Sequence, residues 1–511
     1  MPTLPKPGMY RNPILNTDWP DLDAVRVGDD YYMVASSINR VPGLPILHSR
    51  DLVSWSIVGH AALKIEPAGH YSLPRHGAGV WAPAIRHHQG TFYLFAPDPD
   101  YGISVITAKD SAGPWSAPHL LLSGLGVIDP CPLWDDDGRA WMVFGWAKSR
   151  SGISNRLSVV EISPDAGQLL GSPVTVIDGD AVPGCSTLEG PKFYKRDGWY
   201  WIFAPAGGVT KGWQMVFRSR SVHGPYEGRT VLQTGSTSVN GPHQGAWVDT
   251  PGGQDWFLHF QDRGVFGRVT HLQPLRWDTD GWPVIGVDGE PVSEHSLPLP
   301  DVIPNHDGTP RNEDWSGTVP GLQWHWQANP QENWLALEGS GHARVRAVSN
   351  DLGSLRGVPQ VLGQQLPGTP CTFSTTLRLV DVAKGNAVQQ GRAGVVVLGR
   401  TYAWLGLVWG PNAQIVLRGG TFSGEGDESV ADLANLDPAD EISLRIRTDI
   451  RGVCQLEYRL DGGDWIGGVS DFHASAGQWI SAELGLFACS APGAEGNAYG
   501  LFGPVVVDSD A

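Results

Sequence analysis

Three acidic residues in the first half of the chain stand in settings that are unusual for surface carboxylates. Asp21 lies in DWPDLDAVRVGDD, Asp129 follows the apolar run of GLGVIDP, and Glu189 follows the uncharged run of GCSTLEG. Each precedes a segment rich in aromatic residues, so the three occupy equivalent places along the chain. Carboxylates that converge in an aromatic-lined pocket suit glycosidic cleavage, because one is protonated to assist the leaving group and another is ionised to activate water or attack. A third raises the pKa of the acid by like-charge repulsion and helps to orient it.

Each of the three acids also has a plain structural interpretation. Asp21 or its neighbour Asp23 could cap a turn. Asp129 could belong to an ordinary Asp-Pro turn, and Glu189 could pair with Lys192 in a turn. Their equivalent placement favours the joint hypothesis over three unrelated turns.

The elements that must position these acids are short strands. Segments rich in β-branched and aromatic residues recur at intervals of roughly 50 to 60 residues. They end at Ser36, Pro97, Trp146, Pro205 and Phe260. No comparable stretch has a helical period, so five repeats predict a five-bladed β-propeller of four-stranded blades. Each acid then precedes its blade's aromatic strand and points toward one central funnel.

The remainder of the chain predicts a second domain. The repeats stop near Ile285 and a Pro-rich connector follows. Beyond it, alternating segments such as 372–380, 393–400 and 441–449 predict a β-sandwich. The fold class is therefore all-β, with a propeller catalytic domain at 1–302, a linker at 303–312 and a sandwich at 313–511.

Composition and charge exclude several classes of protein. The 511 residues carry a net charge of −17, and 22 of them are Trp. This charge predicts no nucleic-acid partner, and the absence of a long apolar run predicts no membrane span. The five cysteines are widely spaced without a CxxC pair, and GxSxG, GxGxxG, GxxxxGK and HExxH are absent. The Pro-containing N-terminus lacks an apolar signal core, which predicts a cytoplasmic protein, or a secreted one if a leader has been lost.

Five ordered motifs resemble one known family. NPILNTDWPDLDAVRVGDDYYMVASS, VWAPAIR, IDPCPLWDDDGR, LEGPKFYKRDGWYW and GPHQGAWVDT are together similar to glycoside hydrolase family 43, of the β-xylosidase and α-L-arabinofuranosidase kind. GLQWHWQANPQENW resembles the start of the concanavalin-like sandwich that follows the propeller in many members. The resemblance therefore covers essentially the whole chain.

The resemblance implies a role for each acid. Asp21 is expected to be the general base that activates water, Glu189 the general acid, and Asp129 the residue that tunes and orients Glu189. The family inverts the anomeric carbon, which requires the base and acid carboxyls to lie about 6.5 to 9.5 Å apart.

The resemblance also implies substrate contacts. Trp81 matches a pocket-wall tryptophan and Arg268 an arginine that reaches the terminal sugar hydroxyls. His243 matches a histidine near the pocket floor that touches substrate or holds a calcium ion through water on the propeller axis. Ile38 stands where many members have an aromatic residue, so one wall is expected to be wider. Blade packing for Trp81, a core position for His243 and a surface position for Arg268 are the alternatives. No cofactor is required, and Ca²⁺ near His243 is the one metal that could be present.

The sequence thus predicts an exo-acting, inverting glycosidase of hemicellulose breakdown. It would release terminal β-D-xylose from xylo-oligosaccharides, with α-L-arabinofuranose release from arabino-oligosaccharides as the alternative main activity. From a different class, a non-catalytic sugar-binding propeller would need the pocket but not three acids. The sandwich could be a structural lid or a separate carbohydrate-binding module, and the protein could form a homo-oligomer.

Overall fold

The computed structural model describes residues 6–302, 311–337, 339–349, 354–380, 391–409, 415–437, 440–490 and 498–509. Regular structure in these ranges is almost entirely β-strand, which confirms the predicted all-β class. The helices are single turns: α1 at Lys148–Ser151, and 3-10 turns at His70–Ser72, Gly179–Ala181, Gly264–Phe266 and Leu355–Gly357. Across the described ranges, no helix has the length and apolar character that crossing a membrane requires.

Five four-stranded antiparallel sheets make up the first part of the chain and confirm the five-bladed propeller. The strands, in chain order, are β1 Met9–Arg11, β2 Asp23–Val27, β3 Asp30–Val34, β4 Gly43–Ser49, β5 Ser56–Ala62, β6 Ala84–His88, β7 Thr91–Asp98, β8 Gly102–Ala108, β9 His119–Ser123, β10 Val127–Trp134, β11 Ala140–Trp146, β12 Arg156–Ile162, β13 Val174–Asp178, β14 Lys192–Arg196, β15 Trp199–Ala206, β16 Trp213–Ser219, β17 Glu227–Leu232, β18 His243–Asp249, β19 Asp255–Asp262, β20 Arg268–Trp277, β21 Pro283–Ile285 and β22 Glu294–Ser296.

Each blade is one contiguous stretch of chain, in the order β2–β5, β6–β9, β10–β13, β14–β17 and β18–β21. Around the central axis β2 contacts β6, β6 contacts β10 and β10 contacts β14. In the fifth blade β18 contacts β15 of the fourth blade on one side and β2 on the other, which closes the ring. Side chains strengthen this closure, because Arg26 of β2 donates to both carboxylate oxygens of Asp249 at the end of β18, at 2.9 and 2.8 Å. Outside the ring, β1 pairs with β22 and ties the two ends of the propeller together.

The aromatic segments form the second strand of each blade and fill the spaces between blades. In β15, Trp201 and Phe203 are both almost fully buried. The Phe203 ring stacks against Phe257 of β19, with ring centroids 6.0 Å apart. Large rings suit this position because neighbouring blades diverge away from the axis and leave a wide gap to fill.

The second part of the chain forms two larger sheets. Its strands are β23 His325–Trp326, β24 Leu335–Leu337, β25 Ala343–Arg346, β26 Val348–Ser349, β27 Leu362–Gln365, β28 Cys371–Val380, β29 Gly391–Leu398, β30 Tyr402–Trp409, β31 Ile415–Phe422, β32 Ser429–Leu436, β33 Ile442–Thr448, β34 Val453–Leu460, β35 Ile466–His473, β36 Glu483–Ser490, β37 Tyr499–Phe502 and β38 Val506–Ser509.

These strands confirm the predicted sandwich. One sheet has the order β23-β27-β36-β29-β30-β31-β32 and the other β24-β25-β37-β28-β33-β34-β35, with β26 and β38 paired to β36 and β28. Burial alternates along β28 and β33, as expected for strands with one face on a core. Of the predicted linker, residues 303–310 lie outside the described residues.

The sandwich packs directly on the propeller. Val41 of the first blade and Trp326 of β23 exchange two backbone hydrogen bonds, of 3.0 and 2.6 Å. Asn329 reaches the propeller with its side chain, which accepts from the backbone N–H of Ile65 at 2.8 Å and donates to its carbonyl at 2.9 Å. Ala482 donates to the carbonyl of Val265 at 2.9 Å. The interface is therefore fixed by directional bonds as well as by apolar packing.

Candidate active site

A cavity of about 600 Å³ lies at the end of the propeller where the first strands of the blades begin. Its walls include the three predicted acids and three of the predicted substrate contacts, namely Asp21, Asp129, Glu189, Trp81, Ile38 and Arg268. The structure therefore brings together six residues that are far apart in sequence, at one end of one channel.

Asp21 lies directly before β2 and is almost fully buried. Its backbone φ of 53° is in the left-handed region, which Asp tolerates better than most residues. One carboxylate oxygen accepts from the Ser36 hydroxyl at 2.7 Å, and the other accepts from a guanidinium N–H of Arg268 at 2.5 Å. Both oxygens are thus fixed in direction.

Asp129 lies at a bulge in β10 and is buried. Its Oδ2 accepts from the backbone N–H of Gly190 at 2.8 Å, which joins the third blade to the segment that carries Glu189. Burial is the main cause that raises the pKa of the Asp129 carboxyl to about 8, and the charges of Glu189 and Asp21 contribute to the same shift. The Asp129 carboxyl therefore favours its protonated form at neutral pH.

Gly190 is required for this contact. Its φ is 58°, and a Cβ at this position would lie 2.7 Å from the Cγ of Gln244. The Glu-Gly pair of the fourth motif thus lets the backbone approach Gln244 closely while its N–H faces Asp129.

Glu189 is the most exposed of the three acids, with 28% of its side chain accessible. Its Oε1 lies 3.0 Å from Nε2 of His243, which is fully buried. Lys192, the alternative partner of Glu189 in the sequence analysis, donates from its ammonium to the carbonyl of Pro83 at 3.1 Å. His243 thus lies behind Glu189 rather than on the cavity wall, and it orients the carboxyl while leaving it accessible.

The buried Asp129 carboxyl gives the protein a specific dependence of stability on pH. Its pKa in the folded state, about 8, lies above the ordinary value of 3.8, so the folded protein binds this proton more tightly than the unfolded chain does. The resulting stabilisation is complete below pH 3.8 and is lost as the pH rises toward 8. Asn cannot ionise, so the variant does not lose stability in this way as the pH rises. The difference in unfolding midpoint Tm between Asp129→Asn and wild type should therefore change in favour of the variant when the pH is raised from 5 to 8. Asp29→Asn, in the exposed turn after β2, is the control. A difference in Tm for Asp129→Asn that is equal at both pH values would contradict this account.

Trp81 forms one side of the cavity, and a second tryptophan faces it from the sandwich. Trp479 lies between β35 and β36, is 44% exposed and has a φ of 66°. Its ring centroid is 6.4 Å from that of Trp81, and the guanidinium carbon of Arg268 lies 5.9 Å from the Trp479 ring. The sandwich therefore supplies part of the cavity wall. Sequence reasoning missed this residue, because nothing in SAGQWIS separates Trp479 from the many other tryptophans.

The residues around His243 do not fit a calcium ion held by protein ligands. Nδ1 of His243 is buried without a hydrogen-bond partner, but Ca²⁺ prefers six to eight oxygen ligands over a single nitrogen. Within the described ranges, no group of three or more His, Cys, Asp or Glu side chains could hold a metal. A calcium ion bound through water stays a prediction.

Comparison with known proteins decides the family. The model for "Glycosyl hydrolases family 43" matches residues 10–283, and the model for "Beta xylosidase C-terminal Concanavalin A-like domain" matches residues 312–502. The chain belongs to glycoside hydrolase family 43. This membership confirms the predicted enzyme class over a non-catalytic sugar-binding propeller, and it assigns the chain to enzymes that hydrolyse glycosides and generally need no cofactor.

Individual members of family 43 are similar along most of the chain. A β-xylosidase of Formosa agariphila is 32% identical over 541 residues, covering 94% of this chain and 87% of that protein. The non-reducing end α-L-arabinofuranosidase BoGH43B of Bacteroides ovatus is 31% identical over 408 residues, covering 76% and 73%. The crystal structure of xylan β-1,4-xylosidase from Bacillus halodurans C-125 superposes with a TM-score of 0.81 at 25% identity, covering 97% of this chain and 99% of that one.

Proposed function

We propose that this family 43 enzyme is an exo-acting, inverting glycosidase that releases terminal pentoses from xylo-oligosaccharides. The observation that supports this most directly is the cavity itself, in which three carboxyls face one space that the sandwich partly closes with Trp479. Relatives with long matches to the chain are named β-xylosidases, and their names supply the sugar in this proposal.

In the proposed reaction, Asp21 accepts a proton from a water molecule as that water attacks the anomeric carbon. Glu189 donates its proton to the leaving oxygen as the glycosidic bond breaks, so one proton is taken up and one is given. Asp129 holds the segment that carries Glu189 through the N–H of Gly190 and so orients the acid. The separation of the Asp21 and Glu189 carboxyls that inversion requires stays a prediction.

Two features of the cavity favour action at chain ends. Trp81 and Trp479 contact each other edge to face and together form one aromatic wall of the cavity that holds the acids. Because Trp479 belongs to the sandwich, that domain lies where an open groove would need to continue. We infer that the sandwich acts as a fixed wall of the site rather than as a separate binding module.

An α-L-arabinofuranosidase is the second candidate, and Ile38 is the observation that favours it. Ile38 lines the cavity and is held there by backbone hydrogen bonds with Val80, of 2.9 and 3.1 Å. An aliphatic side chain at this point leaves more width than an aromatic ring would, which suits a furanose. One relative is named an arabinofuranosidase.

The test is hydrolysis of 4-nitrophenyl β-D-xylopyranoside, 4-nitrophenyl α-L-arabinofuranoside, xylobiose and xylotriose by the wild-type protein. The proposal expects cleavage of the xyloside and release of single xylose units, with α-xylose as the first anomer observed by proton NMR. A higher kcat/KM on the arabinofuranoside would favour the second candidate. Inactivity on all four substrates, or release of β-xylose, would overturn the proposal.

Trp479 is expected to contribute mainly to binding of the sugar beyond the scissile bond. Removal of an aromatic stacking partner costs about 0.5 to 1.5 kcal/mol, so Trp479→Ala should raise KM for xylobiose roughly 3- to 10-fold with a small change in kcat. The matched control is Trp465→Ala, because Trp465 is also in the sandwich but packs between Arg445 and Arg459. Equal effects of the two variants on KM would show that Trp479 has no specific role.

A further inference from the structure

Asp18 is fully buried where the propeller meets the sandwich. Its Oδ1 accepts from the backbone N–H of Arg268 at 2.9 Å. Its Oδ2 accepts from the backbone N–H of Ser481 at 2.8 Å and from the Arg40 guanidinium at 2.9 Å. One carboxylate thus joins the last blade, the first blade and the sandwich.

Arg40 neutralises this buried charge and extends the cluster. It is 4% exposed, and its Nε donates to Oε1 of Glu483 at the start of β36, at 2.6 Å. Its remaining terminal nitrogen donates to the Ser481 hydroxyl at 3.1 Å. The guanidinium is therefore shared between a propeller carboxylate and a sandwich carboxylate.

The two backbone groups that Asp18 holds lead to two neighbouring parts of the cavity wall. The Arg268 side chain bonds to Asp21, the proposed base, at 2.5 Å. Ser481 comes two residues after Trp479, whose ring contacts that of Trp81 edge to face on the cavity wall. Displacement of either backbone group would move a cavity residue, because Arg268 itself lines the cavity and Trp479 is only two residues from Ser481.

We propose that Asp18, neutralised by Arg40, is a positioning residue that sets the distance between the Asp21–Arg268 pair and Trp479. The catalytic part of this inference rests on the proposed function. Replacement of a buried ion cluster by apolar residues is often neutral or stabilising, so such a cluster is weak evidence for a role in stability. What the cluster supplies is direction, since Oδ1 of Asp18 holds one donor and Oδ2 holds two. The sandwich is thereby part of the catalytic unit.

Asp18→Asn is the central variant, because it keeps the shape and removes one acceptor. In this variant the single amide oxygen accepts either from the N–H of Arg268 or from Ser481 and Arg40. The amide NH₂ group then takes the place of the other oxygen, where it faces an N–H donor and forms no hydrogen bond with it. We expect kcat/KM on xylobiose to fall at least 10-fold at a temperature where the variant is fully folded. Asp18→Asn and Trp479→Ala should also be non-additive in a double-mutant cycle on KM, because the first variant already displaces Trp479.

Asn329→Ala is the matched control. It removes buried hydrogen bonds across the same domain interface, but those bonds end at Ile65 and do not lead to the cavity. This variant should lower Tm while leaving kcat/KM unchanged. If Asn329→Ala and Asp18→Asn lower kcat/KM equally, or if the double-mutant cycle is additive, Asp18 has only a structural role.

Amide hydrogen exchange provides a readout that does not depend on the substrate. Asp18→Asn should increase exchange at residues 479–482 and 264–268, whereas Asn329→Ala should increase it near residues 65–70. If the wild-type protein is inactive but this exchange pattern is found, the proposed function fails and the positioning role remains. If the protein is active and exchange at 479–482 is unchanged in Asp18→Asn, the positioning role fails alone.

Discussion

Glu189→Gln should lower kcat on xylobiose by about 10²- to 10⁴-fold, which is the usual contribution of a general acid. The loss should be far smaller on 2,4-dinitrophenyl β-D-xylopyranoside, because that leaving group departs without a proton. The basic limb of the pH–rate profile should also disappear, since it reports the loss of the acid's proton. The measurements are kcat on both substrates and kcat against pH.

Glu161→Gln is the control for this experiment. Glu161 lies in β12 of the third blade, outside the cavity lining. Its substitution should leave kcat on both substrates unchanged. If Glu189→Gln lost as much activity on the dinitrophenyl substrate as on xylobiose, Glu189 would not be acting as the acid.

Asp21→Asn should lower kcat by a similar factor of about 10²- to 10⁴-fold, but equally on xylobiose and on the dinitrophenyl substrate. The attacking water needs a base whichever group leaves. Asn keeps the size of the side chain and an acceptor for Arg268 or Ser36, so the loss reports the missing base rather than a collapsed site.

Asp23→Asn is the decisive comparison, because Asp23 is the neighbouring aspartate of the same motif. It is fully buried and accepts from Arg86 at 2.5 Å and from the backbone N–H of Ile85 at 2.9 Å. Asp23→Asn should lower Tm with a much smaller effect on kcat. The assignment of the base would be reversed by a loss of catalysis in Asp23→Asn together with an active Asp21→Asn.

The architecture could be predicted from sequence because its signals are local. Each blade is contiguous and contains its own aromatic strand, so five repeats were enough to count the blades. Asp21, Asp129 and Glu189 each lie at or just before the first strand of a blade, and the symmetry of a propeller then brings them to one end of the channel.

The parts of the site that were missed depend on contacts distant in sequence. Trp479 reaches the cavity from the second domain, and no local pattern tells which loop of a sandwich faces its neighbour. In the sequence Asp18 and Arg40 look like ordinary turn residues. Their importance depends on the ion pairs that Arg40 forms with Asp18 and with Glu483, which is more than 400 residues away. His243 was recognised by its motif, but its fully buried position behind Glu189 depends on the packing of two blades.

The interface between the domains restricts how this enzyme can diversify. A propeller that received a foreign sandwich would lose the cavity wall at Trp479 and would leave Arg40 and Asp18 without Glu483 and the N–H of Ser481. Domain shuffling would therefore lower kcat/KM unless these residues were exchanged as a set. Because the two domains share both this interface and the cavity wall, substitutions along the wall should change specificity with less loss of activity than recombination at the linker.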